Sequence, residues 1–178
     1  EIRTVGSSEK RIDLYDNLLK TKIDRAGVLW RTSVDFQKGI ADDPTILENP
    51  QKKAFLLEEL GVITKGYEDY VAIYPEKFRP YLNLADMYIY HMLFGVNRLD
   101  EADSALDKAM TLSGKHPQPL WMKAVISLYR RDFAKAREYA NMAKQMNPEA
   151  VETIRLQNYI EDSIKTFPKI GLYFFNQI

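Results

Sequence analysis

The chain has no cysteine. That removes a disulfide framework and any thiolate metal site, and it says little about redox compartment. It also lacks charge excess. Lys plus Arg and Asp plus Glu both number 25, so the formal net charge is zero. A dedicated nucleic-acid binder needs surplus positive charge for backbone contacts, so that class is disfavoured. No apolar run approaches the roughly 20 residues that span a bilayer. The opening Glu1-Ile-Arg-Thr4 does not read as a signal peptide, which leaves room for processing or excision from a longer chain.

Motifs of chemistry are scarce too. The two histidines, His91 and His116, form neither a His-x-x-x-His nor a His-Glu-x-x-His pair. A zinc site is therefore unsupported, and both read as loop histidines. Acidic pairs occur at Asp42-Asp43, Glu58-Glu59, Glu68-Asp69, Asp100-Glu101 and Glu161-Asp162. Most are adjacent on predicted helices and point apart. Glycoside hydrolysis needs two carboxylates facing each other across a cleft. Asp42-Asp43-Pro44 lacks the alternating oxygen ligands of a calcium loop and reads as a turn. Gly6-Ser7-Ser8 lacks the Gly-Lys-Ser/Thr of a phosphate loop. Arg130-Arg131 ends a predicted helix, where cations favour the dipole. No catalytic, cofactor or metal residue is assigned, and the chain is expected not to be an enzyme.

What the sequence does hold is helical periodicity and a repeat. A hydrophobic fraction of 46% supports a packed core. At 178 residues the chain fits one domain. Leu99, Ala102, Leu106 and Ala109 recur 34 residues later as Phe133, Ala136, Ala140 and Ala143. Both sets follow one helical stripe. Small residues there let a neighbouring helix approach closely. Each is preceded by an amphipathic helix: Tyr81, Leu84, Ala85, Tyr88 in one, Trp121, Ala124, Val125, Leu128 in the other. Pro80 and Pro119 sit near the helix starts, where a missing N–H costs little. Pro148 stops the second Ala-rich helix.

Residues 78–148 resemble two tetratricopeptide repeats. The resemblance implies an all-α, right-handed solenoid of antiparallel helix pairs, with divergent helices at its N-terminus. The first repeat departs from the 34-residue pattern by about five inserted residues within His91–Val96. Gly114 stands where the closing Pro is expected. In the second repeat, counting back from Pro148 selects Leu120 for the aromatic position, whereas the apolar pattern selects Trp121.

A single helical repeat domain, 1–178, is therefore expected. Residues 1–48 hold divergent N-terminal helices, one capped by Ser8 and one carrying Val28, Leu29, Trp30, Val34, Phe36 and Ile40. Residues 49–76 form a long helix begun by Asn49-Pro50, its end resembling the second helix of a degenerate repeat, and Gly61 and Gly66 weaken it. The two repeats occupy 77–115 and 116–149. Residues 150–178 form a capping helix and an apolar tail, Ile170 to Phe175, expected to dock on this molecule or a neighbour. The whole layout also resembles the C-terminal soluble region of bacterial O-antigen ligase-like membrane proteins. The stretches carrying this are Tyr67-Glu-Asp-Tyr70, Tyr81 to Tyr88, Leu99 to Ala109 and Leu120 to Ala124. That resemblance implies attachment to a membrane part, which would perform the glycan transfer, on the extracytoplasmic side. The residues themselves leave the compartment open.

The remaining functional feature is a concave face lined by the first helices of each pair. Beside the inward stripe lie Arg79, Leu82, Asp86, Ile89 and Tyr90, with Trp121, Val125 and Tyr129 in the next repeat. In repeats of this type such positions commonly contact peptides. A protein or peptide partner is expected there. The alternatives are that a short array buries these residues against its own ends, or that the chain is a structural subunit that self-associates through exposed helical faces and the apolar tail.

Overall fold

A computed structural model describes residue 17 and residues 24–114, 116–149 and 151–166. The expected Ser8 helix and the apolar tail lie outside the described residues. The described part is all-α: it holds seven α-helices and no strand. They are α1 (Arg25–Asp42), α2 (Pro50–Ile73), α3 (Phe78–Tyr90), α4 (Leu99–Ser113), α5 (Gln118–Tyr129), α6 (Phe133–Met146) and α7 (Val151–Thr166). Two 3₁₀ turns, Pro44–Glu48 and His91–Phe94, follow α1 and α3. No helix among the described residues is long and apolar enough to cross a membrane.

Local chemistry sets the boundaries. Asp24 caps α1, its carboxylate accepting from the Gly27 amide at 3.1 Å. Asn49 caps α2 by accepting from the Gln51 and Lys52 amides at 3.0 and 3.1 Å, and Pro50 occupies the first helical position. Asp132 caps α6 through the Lys135 amide at 3.1 Å. Pro148 follows the end of α6 as expected. The long helix α2 runs unbroken through Gly61 and Gly66.

Each helix packs on the next, and α1 touches α3, α3 touches α5, and α5 touches α7. One core runs through the stack, from Leu29 and Phe36 to Leu156 and Ile160. Ala102, Ala109 and Ala136 lie within it, and these three and Ala143 have no exposed surface. They are the low-volume positions that let helix axes approach.

Ion pairs join successive helices at their edges. Lys123 of α5 is buried and donates to Asp103 and, at 2.9 Å, to Asp107 of α4. Arg130 donates to Asp103 at 2.9 Å and to Asp100. Arg137 of α6 grips Glu161 of α7 through two bonds of 2.7 and 2.9 Å. Arg98 lies 4.2 Å over the Tyr88 ring and donates to Glu68 and Glu101, both at 3.1 Å.

The inserted segment is not a surface loop. It extends α3 by a 3₁₀ turn that drives Phe94 into the core, 6.5 Å from the Phe36 ring. Gly95 ends the turn at φ 80°, a left-handed conformation that glycine adopts at no steric cost. His91 is thereby buried, contrary to its reading as a loop residue.

Candidate functional site

Three helices meet around an open groove of about 700 Å³. The C-terminal half of α2, the first turns of α1 and the start of α3 form its sides. Trp30 of α1, Tyr67 and Tyr70 of α2, and Phe78 of α3 supply aromatic walls. Asp24, Glu76, Lys77 and Arg79 supply a rim of balanced charge. Trp30 is 57% exposed although it is the largest side chain on α1. Tyr70 is held by the Tyr74 ring, 4.8 Å away, and Phe78 by the His116 ring, 5.6 Å away.

A polar seam continues from this groove between α1 and α3. The Tyr67 and Ser33 hydroxyls lie 3.2 Å apart, and Asn83, which also lines the groove, bonds to Tyr67. Burial pushes the Tyr67 hydroxyl up to about 12. One turn further along each helix, Gln37 donates to the carboxylate of Asp86. Asp86 is half-buried, and burial pushes its carboxyl up to about 7, with the Gln37 bond opposing. Tyr90 lies on the same face, a further turn along. Burial raises its hydroxyl far above the ordinary range, and the Asp86 charge adds to the effect.

The eight residues expected to line a concave binding face divide. Arg79 is exposed and lies on the groove rim. Asp86, Trp121 and Tyr129 are half-buried. Leu82, Ile89, Tyr90 and Val125 are interior, each 3% exposed or less. The reason is geometric: α3 and α5 have helices on several sides, so one stripe cannot hold all their buried residues. The same holds for the Leu120/Trp121 choice. Leu120 is fully buried, while Trp121 keeps some surface and encloses an indole nitrogen without a partner among the described residues.

Sequence reasoning did not single out Trp30, Tyr70, Phe78 or Asn83 for the site. A signal existed. Val28, Leu29 and Trp30 are consecutive, and three successive helical residues span too wide an arc to face one core.

A second concavity, of about 480 Å³, lies between α3 and α4 beside Tyr81, Tyr88 and Ser104. Its acids, Asp100 and Glu101, are already paired with Arg130 and Arg98. His91 occupies a different enclosed position. The Thr64 hydroxyl donates to the Leu60 carbonyl at 2.7 Å, so the His91 Nε2–H donates to Thr64 Oγ1 at 3.2 Å. Its Nδ1 is buried without a partner among the described residues, and burial lowers the ring's proton affinity. No group of three His, Cys, Asp or Glu side chains among the described residues is placed to hold a metal ion. The aromatic groove is the larger of these two concavities among the described residues. No family model matches the chain, and no curated protein matches it.

Proposed function

We propose that the chain is a non-catalytic protein-interaction scaffold, a tetratricopeptide-type solenoid whose groove between α1, α2 and α3 receives a peptide segment of a partner. The observation carrying this reading is Trp30, left 57% exposed at the mouth of an aromatic-walled groove. Indole and phenol rings bring large contact area at low entropic cost, and they dominate binding hot spots. The successive contacts of α1, α3, α5 and α7 support the solenoid assignment. The resemblance to O-antigen ligase-like proteins extends the reading: the scaffold would be the soluble part of a membrane glycan-transfer protein, on its extracytoplasmic side.

Selection of displayed peptides on the purified chain tests the groove. Selected peptides should lose at least about tenfold in affinity to Trp30→Ala, a loss above 1.4 kcal/mol. The melting temperature should hold, because Trp30 is mostly solvated. Peptides that bind the variant equally well would place the site elsewhere.

A self-assembling structural subunit is the second reading. Met142, Met146, Val151 and Ile154, exposed by 38 to 54% near the C-terminal end of the stack, favour it. Sedimentation across a wide concentration range separates the two: a constant monomer mass supports the scaffold, and a mass that falls on Ile154→Asp substitution supports assembly.

A further inference from the structure

Among the described residues, the α1–α3 seam contains a carboxylate whose bonded partner is not a cation. Glu68, Glu101 and Asp103 each meet a guanidinium or ammonium group. Asp86 differs. Among the described residues, the group bonded to its carboxylate is the neutral Gln37 amide. Among the described residues, Tyr67 of α2 and Tyr90 on its own helix also lie close enough to feel its charge, and neither is a cation. A carboxylate taken partly out of water without a cation is costly, and a cation arriving beside it is correspondingly favoured. Asp86 keeps some exposed surface as a residue, although it lies beyond the groove lining itself. It stands one turn along α3 from Asn83, and Asn83 lines the aromatic groove. An exposed aromatic face such as that of Trp30 attracts cations in its own right.

We infer that the seam recognises a basic side chain, a lysine or arginine of the partner, whose stem runs along the aromatic groove and whose charge is met by Asp86. This rests on the groove being a partner-binding surface, and it names the partner's chemistry. The balanced rim neither attracts nor repels strongly, so the choice of charge falls to Asp86. The interaction has a defined cost in the free protein: the acid holds its proton up to about pH 7. Binding the cation should release that proton.

A small probe tests this without any selected peptide. The chain is titrated with n-butylammonium chloride, following the Asp86 carboxyl carbon and the Gln37 side-chain amide by NMR. Butylammonium should perturb both signals and lower the Asp86 titration midpoint, by about one unit at tenfold excess over its dissociation constant. Equal sodium chloride should leave the midpoint largely in place. An equal response to sodium chloride, or none to butylammonium, would overturn the inference. Groove-binding peptides give the second measurement. Replacing their basic residue by norleucine should weaken binding to the native chain about tenfold and leave binding to Asp86→Asn unchanged. Peptides that depend on Trp30 but are indifferent to Asp86→Asn would sink the cation assignment and leave the scaffold reading standing.

Discussion

Burial drives Asp86 and His91 in opposite senses on the pH axis. The Asp86 carboxyl holds its proton more tightly folded than unfolded, rising from 3.8 to about 7. Its contribution to stability is full below about pH 4 and is lost as pH rises through about 7. His91 is the reverse case: its ring holds a proton less tightly in the fold. That contribution is present above about pH 6.5 and is lost as pH falls through the depressed folded value. Two predictions follow at this scale. Asp86→Asn should be more stable than the native chain by about 1–3 kcal/mol at pH 8, with the advantage shrinking towards pH 4. Urea denaturation at both ends of that range checks it, and an advantage that does not shrink contradicts the burial account. The His91 ring protons should titrate below 6.5 by NMR. A midpoint above 6.5 would mean that Nδ1 has an acceptor. Neither environment was legible in the sequence. Asp86 reads as a groove position and His91 as a loop residue, because the partners that enclose them, Gln37 and Thr64, come from helices 49 and 27 residues away.

At the scale of the element, much was legible. The cap at Asn49, proline at position 50 and the stop at Pro148 all mark real boundaries, because capping depends on neighbours in the chain. The alanine stripes of α4 and α6 fall on buried faces for a similar reason: a residue as small as alanine, repeated at helical spacing, signals close packing. Replacing Ala136 by Leu should cost about 1–3 kcal/mol by overpacking a fully enclosed position. A thermal melt with an unchanged or higher midpoint would remove Ala136 from the contact. Gly61 gives the opposite expectation. It lies in the helical interior of α2, and an added Cβ would meet nothing within 4 Å. Gly61→Ala should therefore stabilise the fold by up to about 1 kcal/mol, read as a higher melting temperature. Burial across α3 and α5 was harder to read. Stripe arithmetic assumes one packed face per helix, and these two helices have neighbours on several sides. Leu82, Ile89, Tyr90 and Val125 consequently sit inside. The 3₁₀ turn after α3 escaped because an insertion is easily taken for a loop, whereas Phe94 and His91 are core residues.

On the scale of the whole molecule, the described helices are joined by an apolar core and by edge ion pairs, and the aromatic groove lies where α1, α2 and α3 meet. The two tryptophans divide accordingly. Trp121 is largely enclosed within the stack, while Trp30 stands at the groove mouth. This contrast offers a direct reporter of the central claim. In a Trp121→Phe background, Trp30 is the sole indole, and its emission reports the groove alone. Binding of a selected peptide, followed in parallel by calorimetry, should shift that emission to shorter wavelength and protect it from acrylamide quenching, saturating at the calorimetric stoichiometry. Full calorimetric binding with unchanged Trp30 emission and quenching would contradict the account, because the partner would then be docking on a surface other than this groove.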